Sequence, residues 1–158
     1  MDTTLLCQSL AQRLLERRWL LATAESCTGG MIAARCTDLP GSSAWFERGF
    51  VTYSNDAKTE LLGVDGQLIA HQGAVSEAVA RAMAEGAVAH SRAQVAVAVT
   101  GVAGPTGGSV DKPVGTVWLA WSVNGAVEAE KMVFPGDRTA VREATTLHAL
   151  QGLNNRLV

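Results

Sequence analysis

The dipeptide Asn124-Gly125 lies between two runs rich in β-branched and aromatic residues, 115–122 and 126–134. Such a pair reaches positive φ at little cost and closes a two-residue hairpin, so the two runs are expected to pair as antiparallel strands. Upstream of it, short apolar runs alternate with helical patterns, which is how parallel strands joined by crossover helices read. A sheet that holds both kinds of pairing cannot be wholly parallel. The chain is therefore read as an α/β domain whose helices cover a mixed sheet.

The remaining elements follow from periodicity and punctuation. Leu5, Leu6, Leu10 and Leu14 make one helical stripe, with Arg13, Glu16 and Arg17 elsewhere. Residues 20–24 form a short apolar strand that ends at Glu25-Ser26-Cys27-Thr28-Gly29-Gly30, and 31–36 reads as helix. Pro40-Gly41-Ser42-Ser43 marks a turn, and 46–53 a strand. A helix over 56–62 has Ser54 or Asn55 as its cap and Gly63 as its stop. Ser76 opens an alanine-rich helix to about residue 91, 94–100 is a β-branched strand, and 101–112 is a glycine-rich loop. Asp137 caps the last helix, which turns Val141, Leu147, Leu150 and Leu157 inward.

Composition narrows the function classes. The 158 residues suit one domain over 1–158, long enough to bury a core without disulfides. A net charge of −2, with Lys58, Lys112 and Lys131 as the only lysines, argues against a nucleic-acid partner. Cys7, Cys27 and Cys36 are an odd number without a Cys-x-x-Cys pair, which suits a reducing cytoplasm rather than a disulfide frame or a zinc site. The start of the chain lacks the pattern of a signal peptide, and the longest uncharged stretch carries four glycines and a proline, so no membrane segment is expected. No His, Cys or acidic cluster has metal-ligand spacing, and no cofactor is implied.

Two stretches carry candidate chemistry. Ser26 follows an apolar strand and precedes a helix start, where free backbone N–H groups can hold an oxyanion; it reads either as a nucleophile or as a plain N-cap. Its base is not a histidine on this reading, because His71, His90 and His148 have no partnered place at a strand end. Lys58 falls in the first turn of a helix, where the dipole opposes the ammonium form and burial would oppose it further; otherwise it is a solvated surface lysine. Tyr53 is the only tyrosine, and its spacing to Lys58 is not the Tyr-x-x-x-Lys of short-chain dehydrogenases. The run Thr100-Gly101-Val102-Ala103-Gly104-Pro105 reads as an anion-binding nest or a surface loop, and Arg142 as a phosphate clamp or a surface arginine.

Those same blocks carry a resemblance. Thr23-Ala-Glu-Ser-Cys-Thr-Gly-Gly30, Pro40-Gly-Ser-Ser-Ala-Trp-Phe46, Arg48-Gly-Phe-Val-Thr-Tyr-Ser-Asn55, Thr100-Gly-Val-Ala-Gly-Pro105, Lys112-Pro-Val-Gly-Thr-Val-Trp118 and Gly136-Asp-Arg138 are similar to the C-terminal domain family of the competence/damage-inducible protein CinA. The resemblance implies a three-layer α/β/α sandwich with a mixed, mostly parallel sheet, and a homodimer or higher homo-oligomer. It implies deamidation of nicotinamide mononucleotide to nicotinate mononucleotide and ammonia, with Ser26 as nucleophile and Lys58 and Tyr53 as its activating groups. Thr28, Gly29, Gly30, Gly41, Ser42, Ser43, Thr100, Gly101, Gly104 and Arg142 would hold the substrate. A nucleotide-binding module without turnover, and an accessory protein in competence or DNA damage, are the alternatives. Longer members carry a further N-terminal domain similar to molybdopterin-binding proteins, for which this chain has no room.

Overall fold

Between residues 95 and 99 valines alternate with alanines, and a pleated strand sends the two sets to opposite faces. The computed structural model, which describes residues 2–158, builds two cores on that division. Its elements are α1 (Thr3–Arg17), β1 (Leu21–Glu25), α2 (Met31–Thr37), β2 (Phe46–Val51), α3 (Asn55–Leu62), α4 (Gly66–Gln72), α5 (Glu77–Ala89), β3 (Val95–Gly101), β4 (Thr116–Val123), β5 (Ala126–Val133) and α6 (Arg138–Arg156). The strands form one sheet in the order β2-β1-β3-β4-β5. β1 pairs in parallel with β2 and β3, whereas β4 is antiparallel to β3 and to β5, so β4 alone runs against the rest. In the hairpin turn Asn124 (φ 50°) and Gly125 (φ 93°) both hold positive φ, as its tight closure requires.

Val95, Val97 and Val99 face a core with Leu10, Leu14, Ile32, Trp121 and Leu150, under α1, α2 and α6. Ala96 and Ala98 join Ala22, Ala24 and Ala120 on the other face, under α3, α4 and α5. That alanine floor lets α5 lie close, and α5 answers with Ala80, Ala84 and Ala87. Gly86 sits inside α5 for the same reason: a Cβ there would overlap the Leu62 carbonyl oxygen at the end of α3. Helices thus cover both faces, which is the three-layer arrangement with a mixed sheet.

Three local details differ from the sequence reading. Leu5 is 56% exposed, and Cys7 takes its place on the buried stripe of α1 beside Leu6, Leu10 and Leu14. The strand over 46–53 ends at Val51, because the chain then turns into Ser54, whose hydroxyl caps α3 through Ala57 N–H (3.0 Å). Helix α4 is additional; its seven residues are too few to show a stripe, and Asp65 caps it through Gln67 N–H (2.9 Å).

The topology also opens a crevice. The chain leaves β1 toward α2 on one face, and leaves the neighbouring β2 toward α3 on the other. Between the carboxyl ends of two such strands an α/β sheet has room for a ligand.

Candidate active site

Ser26 and Lys58 meet in that crevice. Ser26 directly follows β1, and its N–H donates to Val99 O (3.1 Å) on β3. Lys58, in the first turn of α3, reaches back so that Nζ lies 3.1 Å from Ser26 Oγ. The amine also donates to Thr52 O at 3.1 Å, with Tyr53 O and Ser54 O at 3.5 Å. Lys58 is 1% exposed and has no carboxylate partner among the described residues. Burial therefore holds its pKa below the ordinary lysine value, opposed in part by the Cys27 thiol. Loss of its proton would leave two N–H bonds for the carbonyls and a lone pair for the serine hydroxyl. Cys27 beside it is buried and its thiol is pushed up to about 12, chiefly by desolvation, so it is an inert filler rather than a second nucleophile.

A cavity of about 360 Å³ opens above this pair. Ser26, Cys27 and Lys58 line its floor, Thr100, Gly101, Val102, Ala103 and Gly104 one wall, and Ala74, Val75 and Asn55 another. Thr100 joins two of these walls, donating from Oγ1 to Ala74 O (2.9 Å). Its size lies in the range of small-molecule sites. At the rim, Arg138 donates to Gly104 O (2.7 Å) and to Tyr53 Oη (3.0 Å). The Tyr53 ring is 61% exposed at the mouth, and only its backbone carbonyl approaches Lys58 and Ser26. A proton relay through the Tyr53 hydroxyl has no place between them, since lysine and serine touch directly.

The other expected residues divide. Thr28 is fully buried and its hydroxyl donates to Glu25 Oε1 (2.5 Å). Gly29 and Gly30 (φ 59° and 109°) shape the turn, with Gly30 as the N-cap of α2, and neither lines the cavity. Ser26 is not that cap, and the Ile32 and Ala33 N–H groups of the first turn already donate to Glu25 at 2.9 and 3.0 Å. An oxyanion hole at the start of α2, expected from the sequence, is thus occupied by a protein carboxylate. Arg142 donates to Cys27 O (3.1 Å) and Thr28 O (3.3 Å), bracing the turn from α6 behind the cavity. The arginine at the rim is Arg138, which stood within a resemblance block without a role. Its signal was Asp137: a capping residue there makes Arg138 the first residue of α6. Lys112 turns away to Gln72 O (3.1 Å).

Gly41, Ser42 and Ser43 lie before β2, where Leu21 pairs with Phe46 at the amino end of the parallel strands. Ser26 is beyond the opposite end, so the separation is about four strand residues or more, roughly 13 Å. These residues do not line the cavity of their own chain. None of the three histidines lines it either; His148, for example, bonds Glu130 (2.9 Å) on the far side of the sheet. Among the described residues no three His, Cys, Asp or Glu side chains converge as metal ligands. Among the described residues no helix is long and apolar enough to cross a membrane.

Comparison with known proteins places the whole domain in one family. The family model described as CinA C-terminal domain matches residues 3–157. A Pseudomonas putida protein named nicotinamide-nucleotide amidohydrolase PncC is 55% identical over 150 residues, covering 95% of this chain and 94% of its own. The Escherichia coli K12 protein of the same name is 52% identical over 149 residues, covering 94% and 90%. A CinA-like protein of Akkermansia muciniphila is 57% identical over 84% of this chain, which spans only 32% of that longer protein. The crystal structure of the competence/damage inducible protein CihA from Agrobacterium tumefaciens superposes with a TM-score of 0.95 at 46% identity, covering 99% of this chain and 96% of that one.

Proposed function

The chain belongs to the CinA C-terminal domain family, and from that membership we propose that it deamidates nicotinamide mononucleotide by a metal-independent serine mechanism. The enzyme class, a nicotinamide-nucleotide amidohydrolase, is that of relatives aligned along nearly their whole length. One observation carries the mechanism: a desolvated amine, Lys58 Nζ, held 3.1 Å from Ser26 Oγ on the floor of a cavity.

Ser26 Oγ attacks the carboxamide carbon while its proton passes to neutral Lys58. The oxyanion is met by an amide of the turn after Ser26. Cys27 N–H, in the cavity lining and donating to no backbone carbonyl among the described residues, is the candidate. Lys58 returns the proton to the departing ammonia, leaving a nicotinoyl ester on Ser26. Water, deprotonated by Lys58, then attacks the ester; the same proton passes from Lys58 to the departing Ser26 Oγ, and nicotinate mononucleotide is released. The carbonyls of Thr52 and Tyr53 keep the amine aimed throughout.

The phosphate of the substrate is assigned to the rim, where Arg138 supplies a positive charge beside the 101–107 loop. A module that only bound a nucleotide would gain nothing from an amine desolvated against a serine hydroxyl. The product returns a pyridine ring to NAD synthesis, a cytoplasmic role. Ammonia release from nicotinamide mononucleotide, nicotinamide riboside and nicotinamide tests the reading. Turnover of the mononucleotide above the other two supports it, and no turnover of any of them refutes it.

A further inference from the structure

We propose that Glu25 is a positioning residue for the nucleophile, a role that rests on Ser26 and Lys58 being the reacting pair. Glu25 ends β1, immediately before Ser26, and is 1% exposed. A carboxylate in the interior is tolerable only when its oxygens are well bonded. Here Oε1 accepts from Thr28 Oγ1 (2.5 Å) and Ile32 N–H (2.9 Å), and Oε2 from Ala33 N–H (3.0 Å). The amide donors are first-turn groups of α2, whose own N-cap, Gly30, has no side chain to offer them. The residue before the nucleophile therefore folds forward over the turn 26–30 and fastens its far end.

The other bonds of the turn complete the clamp. Ser26 N–H is held by Val99 O, Gly29 N–H by Ser26 O, and Arg142 grips the Cys27 and Thr28 carbonyls from behind. Glu25 does not line the cavity, so it acts on the reaction only through where it puts Ser26. Its chemistry is specific. A carboxylate is an acceptor at every lone pair, whereas a glutamine amide would turn its NH₂ toward one of the three donors. Relief of that donor–donor clash moves the turn, and with it the contact between Ser26 Oγ and Lys58 Nζ.

The test is Glu25→Gln, assayed well below its melting temperature on nicotinamide mononucleotide. A displacement of about 1 Å at a reacting atom lowers kcat by about a hundredfold while KM stays within about threefold. The midpoint of the pH–rate profile should also move up toward that of free lysine, because an opened turn lets water reach Lys58. Labelling of Ser26 by phenylmethanesulfonyl fluoride, read by mass spectrometry, gives a second readout that needs no substrate. There the Oγ–S bond forms, fluoride leaves and the proton passes to Lys58, and the rate should fall with kcat. A role in stability alone lowers activity only in step with the unfolded fraction, at an unchanged pH midpoint, and that result overturns the proposal. Should Glu25→Gln fail to fold, Thr28→Val removes one donor from the same carboxylate. It is expected to lose about tenfold in kcat, and Thr28→Ser, which keeps the hydroxyl, to recover most of that loss. Equal activity of the two threonine variants overturns the proposal as well. If the wild type labels at Ser26 but releases no ammonia from the mononucleotide, the substrate assignment fails, and the labelling rates still decide the role of Glu25.

Discussion

Replacing Lys58 with arginine separates a base from a mere positive charge. A free lysine, with a pKa of about 10.4, is neutral in only about one molecule in a thousand near pH 7.4. Each unit by which burial lowers that value raises the neutral fraction about tenfold until the pKa reaches the working pH. The structure supplies the burial: 1% exposure, and no carboxylate partner among the described residues to hold the charged form. Arginine keeps the charge but has no accessible neutral form. Lys58→Arg should therefore lose about 10²- to 10⁴-fold in kcat, the usual contribution of a general base, and nearly match Lys58→Ala. The wild-type rate should rise with pH through an apparent pKa below that of free lysine. Linkage gives the same group a stability signature. Because the unfolded chain binds the proton more tightly, the burial penalty is present in full below the folded pKa, and stability rises with pH from there to about 10.4. Rate profiles and thermal melts of wild type and Lys58→Arg across that window check both. An arginine variant within tenfold of wild type, with an unchanged rate profile, would refute the reasoning and move the base elsewhere.

Ser26→Ala should cost several orders of magnitude in kcat with little change in melting temperature, since the hydroxyl's one strong contact is with the amine; stopped activity with an unfolded chain would mean something else. Arg138→Met should raise KM for nicotinamide mononucleotide by about tenfold or more and leave turnover of bare nicotinamide unchanged, because only the former carries a phosphate for the rim. Gly86→Ala should destabilise by about 2 kcal/mol, as the added methyl meets a carbonyl rather than a yielding side chain, and urea titration measures it. Gly41, Ser42 and Ser43 can serve a cavity only in a second copy of the chain; Ser43→Trp should then lower activity while leaving its own cavity intact, and mixing it with Ser26→Ala should restore part of the rate.

Where a feature of the fold depends on a few neighbouring residues, the sequence announces it. Asn124-Gly125 is sufficient for the hairpin, Ser54, Ser76 and Asp137 for three helix starts, and the Val/Ala alternation of β3 for its two faces. Helix α4 and the outward turn of Leu5 depend on what packs against them. A seven-residue helix carries less than two turns of pattern, and a stripe of leucines does not say where its buried arc is centred.

The site divides along the same line, and the division explains which residues could be read. Ser26 and Lys58 each stand just past a strand, and parallel neighbours end side by side, so two local patterns converge without any long-range knowledge. Arg138, by contrast, reaches the rim only because α6 begins beside the 101–107 loop, a contact between elements far apart in the chain. Arg142, one turn further along α6, points behind the cavity instead. No periodicity distinguishes the two arginines. Glu25 was hidden for another reason: it follows the apolar run 20–24 at the head of a turn, where nothing local marks a carboxylate as buried. Its burial is visible only once the donors that require it, the uncapped first turn of α2, are in place. The missing capping side chain at Gly30 is the sequence counterpart of that burial. A helix start that offers no cap of its own must borrow an acceptor, and here the lender is the neighbour of the nucleophile.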